Sequence, residues 1–131
     1  MAKYVFPAVF TEEKGLYAVN FPDLPGCYTS GDSIADAIYM AEDVLAFTLY
    51  SYEKNKKEIP APSEAGDMEL KGSSFVNLIA CDTLEYQKRN NNKAVKKTLT
   101  LPEWLNEAAI AANLNFSQIL QDGIKTKLNL N

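Results

Sequence analysis

The chain has 131 residues, 17 acids against 13 Lys and Arg, two cysteines and no histidine, with 47% hydrophobic and 11% aromatic residues. This is a globular composition, long enough for one ordinary domain or two small ones and too short for a two-domain Rossmann enzyme or an α/β barrel. Without histidine there is no Ser-His-Asp triad, no Cys-His pair and no imidazole base or metal ligand, and two cysteines cannot build a four-sulfur zinc site.

Tyr4–Phe10 is rich in aromatic and β-branched residues and predicts a strand. Pro7 should put that strand at an edge or beside a bulge. Thr11–Gly15 is a polar hairpin loop, and Leu16–Phe21 is the partner strand. Pro22-Asp-Leu-Pro-Gly26 breaks the pattern, and Cys27–Ser30 makes a short third strand. Ser33 can cap a helix, with Asp36 at the capping-box position. Ile34, Ile38, Ala41, Leu45, Leu49 and Tyr52 recur at helical spacing and should cover one sheet face. Glu53–Glu58 ends the helix, Ile59–Ser63 is extended, and 63–74 is a surface loop. Phe75–Thr83 is a nearly continuous apolar run, expected as a strand in the centre of the sheet. The first domain, 1–86, therefore reads β-β-β-α-β, with a mixed sheet. The polar stretch from Glu85 supplies a linker, 87–93, before a second domain at 94–131.

Ala94–Leu101 alternates, with Val95, Leu99 and Leu101 on one face and Lys96, Thr98 and Thr100 on the other. Pro102 fits the first turn of a helix running to about Ala112 and burying Leu105, Ala108, Ala109 and Ala112. Asn115 can cap a second helix, with Gln118 three residues on and Phe116, Ile119, Leu120, Ile124 and Leu128 as its apolar stripe. About forty residues is near the lower limit for an independent core, and a lone strand leaves its backbone groups unpaired. Both problems vanish if two chains pair these strands antiparallel and interlock their helices. A homodimer is expected, held by Val95, Leu99, Leu101, Trp104, Leu105, Ile119 and Leu120. If the N-terminal domains also pair, a tetramer results.

A two-stranded ribbon fits the major groove of B-DNA. It would present Lys96, Thr98 and Thr100 to the bases, while Asn115, Phe116 and Ser117 offer a helix N-terminus to a phosphate. The competing reading is that Lys96 and the threonines are the solvated face of an amphipathic strand. Charge leans toward the first: residues 1–87 carry six lysines and fourteen acids, a balance of −8, and 88–131 carry seven cations and three acids, a balance of +4.

The order strand, Pro102, Glu103-Trp104-Leu105, then Leu114-Asn-Phe-Ser-Gln-Ile-Leu120, resembles the ribbon-helix-helix DNA-binding module. Asn20-Phe-Pro-Asp-Leu-Pro-Gly-Cys27, then Thr29-Ser-Gly-Asp32 and a capped amphipathic helix, resembles the HicB antitoxin family. The resemblance implies an α+β protein pairing a partial RNase H-like domain with a DNA-binding domain. It implies binding and neutralisation of a small HicA-like toxin that cleaves mRNA, and repression of its own operon at operator DNA. An acidic first domain suits a basic, RNA-handling partner, and Asp23, Asp32, Glu42 and Asp43 are its candidate contacts. A plain transcriptional regulator with a small-molecule-sensing N-terminal domain is the alternative.

An RNase H-like nuclease needs carboxylates converging on two metal ions. The predicted first strand holds no acid, and Asp23, Asp32, Asp36, Glu42 and Asp82 are scattered. No enzyme activity, metal or cofactor is expected. No apolar run reaches the roughly 20 residues of a membrane span. MAKYVFPAVF lacks a secretory pattern, so a reduced cytoplasmic protein is expected, with Cys27 and Cys81 as small apolar residues.

Overall fold

The computed structural model describes residues 2–130. The chain divides between Lys93 and Ala94 into two compact units.

The first unit runs β1 (Lys3–Glu13), β2 (Leu16–Asn20), β3 (Tyr28–Gly31), α1 (Ile34–Lys54), a single 3-10 turn at Ala65–Asp67, β4 (Ser74–Asp82) and α2 (Thr83–Asn90). The strands form one sheet in the order β3-β2-β1-β4, and every pairing is antiparallel. The expected mixed sheet does not form. Helix α1 carries the chain along the sheet and the segment 55–73 carries it back, so β4 enters antiparallel to β1. β4 also lies at an edge, whereas β1 is central. Its apolar run suggests burial on two faces. Only the α1 face is covered: Ile79 is buried and Phe75 stacks on Phe10 at 5.2 Å, while Leu78 on the other face is 57% exposed.

Pro7 is tolerated in the central strand because it is locally at an edge. Pairing with β2 begins only at Val9. The Thr83 N–H to Ala2 O and Glu12 N–H to Ser73 O bonds fix the parity of the β1–β4 ladder. Even-numbered β1 residues exchange bonds with β4, so the missing N–H of Pro7 faces the side with no partner strand.

The β1–β2 hairpin is tighter than the expected five-residue loop. Glu13 pairs with Leu16, and Lys14 and Gly15 both have positive φ, 53° and 79°. That is the two-residue turn whose twist matches the flanking strands. The turn at Pro22–Gly26 does more than bend the chain. Phe21 N–H bonds Cys27 O across it at 3.0 Å, and Leu24 at its tip is fully buried.

The core lies between α1 and the sheet, where Phe6, Ala8, Phe10, Val19 and Phe21 meet Ala37, Ala41, Leu45 and Leu49. Ile34 of the predicted stripe is exposed, and Ala37 takes the core position in the first turns. Ser33 caps α1, accepting from Asp36 N–H at 3.1 Å, and Asp36 accepts in return from Asp32 N–H at 3.1 Å. Gly31 is required by close approach: a Cβ there would collide with the backbone of Ala37.

The expected linker 87–93 is largely replaced by α2. Asp82 caps this helix, accepting from Leu84 N–H at 2.9 Å, and the Tyr86 ring packs on Phe47 and Tyr50 of α1. The apolar contacts of a polar stretch are few but correctly spaced, so packing decides it. Thr83, fully buried, joins three elements: its hydroxyl lies 2.8 Å from Ala2 N and 3.1 Å from Glu53 Oε2, while Tyr4 donates to the same Glu53 oxygen at 2.7 Å.

The second unit contains α3 (Glu103–Ala111) and α4 (Phe116–Lys127). Residues 91–102 form no strand in the single chain. Pro102 takes the cap position of α3, one residue earlier than expected, and its carbonyl accepts from Leu105 and Asn106. The helices are joined by a Schellman turn: Asn113 has φ 56°, with bonds from Asn113 N–H to Ile110 O and from Leu114 N–H to Ala109 O. Asn115 caps α4, accepting from Gln118 N–H at 3.0 Å, although the Gln118 amide turns to Asp122 rather than back to the cap. Neither helix has a buried residue, so the expected burial of Leu105, Ala108, Ala109 and Ala112 does not occur within one chain.

Candidate partner and nucleic-acid surfaces

The four acids singled out in the first unit separate in space. Asp23 is held internally, bonding the Ser63 backbone N–H at 2.9 Å and the Ser63 hydroxyl. It ties the returning segment to the proline turn. Asp32 lies in the turn before α1, exposed. Glu42 and Asp43 come together on α1, lining a cleft of about 120 Å3 with Tyr39, Cys81, Asp82, Glu85 and Arg89.

Sequence reasoning missed part of this cleft. Asp82 counts among the scattered acids of the sequence and Glu85 opens its polar stretch, and only the folding of α2 brings the two to Glu42 and Asp43. Tyr39 and Phe47 were missed as well. They sit four residues either side of Asp43 on the solvent face of α1, 63% and 56% exposed. Their helical spacing on a polar face was the available signal. The cleft is electronegative: four carboxylates against Arg89, with Glu85 also paired to Lys88 at 3.2 Å. Burial first, then the Asp43 charge, pushes the Tyr86 hydroxyl above its ordinary pKa.

The thiols are free and unactivated. Burial, and then the charge of Asp82 and other nearby acids, pushes Cys81 up to about 12. Burial raises Cys27 too, against a Thr48 hydroxyl that donates to its sulfur at 3.4 Å. Among the described residues no group of three or more Cys, Asp or Glu is placed to hold a metal ion. β1 is longer than predicted and does contain acids, Glu12 and Glu13, both exposed beside the hairpin.

In the second unit the predicted alternation is kept. Lys97, Leu99 and Leu101 line one side of a cleft whose other side is Phe116, Ser117, Ile119 and Leu120 of α4, with Asn106. Lys96, Thr98 and Thr100 are exposed and outside that lining. The structure thus gathers four predicted dimerisation residues, Leu99, Leu101, Ile119 and Leu120, with two predicted phosphate contacts. Val95 and Trp104 do not join them and stand exposed, as does Leu105. An apolar groove continues along α4 at Gly123, Ile124 and Leu128.

A family model described as HicB-like antitoxin of bacterial toxin-antitoxin system matches residues 3–78, which span β1, β2, β3, α1 and the first half of β4. The chain belongs to the HicB-like antitoxin family. Antitoxin HicB 2 of Photorhabdus laumondii is 29% identical over 100 residues, covering 75% of this chain and 72% of the relative. A chain of a toxin-antitoxin complex from Streptococcus pneumoniae superposes with a TM-score of 0.63 at 27% identity, over 95% of this HicB-like chain and 99% of that one. A chain of a HicA3 and HicB3 toxin-antitoxin complex shares the fold, with a TM-score of 0.51 at 21% identity over 60% of this chain and 99% of that one. Among the described residues no helix is long and apolar enough to cross a membrane.

Proposed function

We propose that this HicB-like chain neutralises a HicA-like, mRNA-cleaving toxin through its first unit and represses its own operon through a dimeric ribbon-helix-helix formed by residues 94–131. The first unit is then the partial RNase H-like module, and the nuclease chemistry belongs to the toxin, not to this chain. One observation carries the two-part reading. The family match ends at residue 78, while a separate unit beyond it forms two capped helices that bury nothing by themselves. A second copy would cover Leu99, Leu101, Trp104, Ile119 and Leu120. It would also give the unpaired segment 94–101 an antiparallel strand partner. Such a ribbon turns Lys96, Thr98 and Thr100 outward in two symmetry-related sets, which suits a major groove. HicB3, a fold relative, is found in complex with HicA3, which supports the toxin half.

Co-expression with the small protein encoded beside it tests both halves. A stable complex, rescue of growth, and a shift of the operon's own promoter DNA are expected. Operator binding with no toxin complex would favour the stand-alone regulator with a small-molecule-sensing domain. Absence of both binding activities would overturn the proposal.

A further inference from the structure

We propose that Lys97 sets the register in which two copies of the segment 94–101 pair, and thereby fixes the spacing of the two DNA-reading faces. This rests on the dimeric ribbon-helix-helix reading above. The alternation puts Lys97 on the same side of the segment as Val95, Leu99 and Leu101. It lines the cleft against α4 beside Leu99 and Leu101, and among the described residues it is the one charged side chain of that lining. It makes no hydrogen bond or ion pair among the described residues, so no carboxylate there offsets its charge. A single lysine at an otherwise apolar seam weakens association and selects a register.

Antiparallel pairing keeps the apolar sides together only in registers that differ by steps of two residues. With Thr98 opposite itself, residues 95–101 pair with their own copies, and Lys97 faces Leu99 of the second copy. With Leu99 opposite itself, the ladder shortens to 97–101, because Pro102 has no N–H to extend it. With Lys97 opposite itself, the ladder lengthens to 93–101, and Val95 faces Leu99 of the second copy. Backbone pairing alone favours this longest ladder. Lys97 rejects it: the two Cβ atoms would stand about 5 Å apart, with like charges on the side closed off by the helices. Facing Leu99, each Lys97 lays its stem on apolar surface and carries its ammonium out to water alone. The apolar stripes of the helices drive association, but apolar burial is non-directional and discriminates weakly between registers. A slip would shift one strand against the other by about 7 Å. The two sets of Lys96, Thr98 and Thr100 would then miss the spacing of the operator half-sites.

The test is disulfide cross-linking of the full-length chain, with sedimentation and a gel shift on the operon's own promoter DNA alongside. The parent, with Cys27 and Cys81 alone, gives the background. Thr98→Cys should form a covalent dimer, since directly opposed residues lie within disulfide reach. Adding Lys97→Leu should tighten the dimer about 10-fold, through two newly apolar seam positions. It should also cut the Thr98→Cys yield at least about threefold, because slipped copies stand too far apart to bridge. A mixture of Lys96→Cys and Thr98→Cys chains, both carrying Lys97→Leu, should gain a cross-link instead. Discrimination between promoter and random DNA should fall with the slip. Lys97→Arg keeps the charge and should keep the parent's pattern. An unchanged Thr98→Cys yield in Lys97→Leu, with no new cross-link between positions 96 and 98, would overturn the role of Lys97 and leave the dimer reading intact. Weaker DNA binding by Lys97→Leu at an unchanged cross-linking pattern would make Lys97 a plain phosphate contact and overturn it equally. A parent chain that sediments as a monomer, with no Thr98→Cys cross-link, would overturn both.

Discussion

Leu99→Ala measures how much of the second unit's stability comes from a second copy. Leu99 is 60% exposed in the single chain and lines the cleft against α4. Full burial of a leucine side chain is worth about 2.5 kcal/mol, so covering the exposed part would supply about 1.5 kcal/mol per copy. Two-fold symmetry counts it twice, about 3 kcal/mol per dimer, and truncation to alanine should weaken the dimer about 100-fold. The first unit should melt as before, because its core is made of its own residues. Sedimentation over a dilution series reads the dimer constant directly, and a gel shift on promoter DNA should lose affinity in parallel. Refutation is simple to recognise. If the parent chain sediments as a monomer at tens of micromolar, or if Leu99→Ala leaves the dimer constant unchanged, the exposed stripe is not a dimer seam.

Three further outcomes follow from particular contacts. Gly31→Ala should cost about 2 kcal/mol, read as a fall of about 10 °C in the melting temperature of the first unit, because the added methyl meets the backbone of Ala37 rather than a flexible side chain. The Glu53 clasp should shape the pH dependence of stability. Burial acts to raise its carboxyl, but the hydrogen bonds it accepts, those from Tyr4 and Thr83 among them, leave its pKa lowered. Its contribution is therefore present above the unfolded value of about 4.3 and lost as pH falls through the folded one. Tyr4 is pushed up to about 12 by burial first and then by Glu53, so its contribution is full below pH about 10 and lost as pH rises through 12. Denaturant titrations across pH should show both limbs, and Glu53→Gln should flatten them. At the proposed ribbon, Lys96→Ala should weaken binding to all DNA sequences and flatten the salt dependence, while Thr98→Ala with Thr100→Ala should reduce discrimination between operator and random DNA. Gel shifts at several salt concentrations distinguish the two, and parent-like behaviour in all three substitutions would remove the ribbon as the reader.

Much of this protein is legible one segment at a time. The Ser33 and Asn115 caps, the alternation at 94–101, the α1 stripe and the proline turn before Cys27 are short-range patterns. Each is fixed by residues within a few positions of one another, through staggered side-chain directions and local hydrogen bonds. The family resemblance and the split between an acidic first part and a basic second part are equally local in the chain. Tertiary structure alone decided what depends on residues far apart in the chain. It placed β4 at an edge although its apolar run suggests the centre, because nothing in a strand's own sequence states what covers its second face. It made a helix of the polar stretch 83–90, through Tyr86 meeting Phe47 and Tyr50. It turned Asp23 inward to Ser63 and brought Glu42 and Asp43 to Asp82 and Glu85. A carboxylate's role depends on what approaches it in space, and only the packing of α1, β4 and α2 determines that.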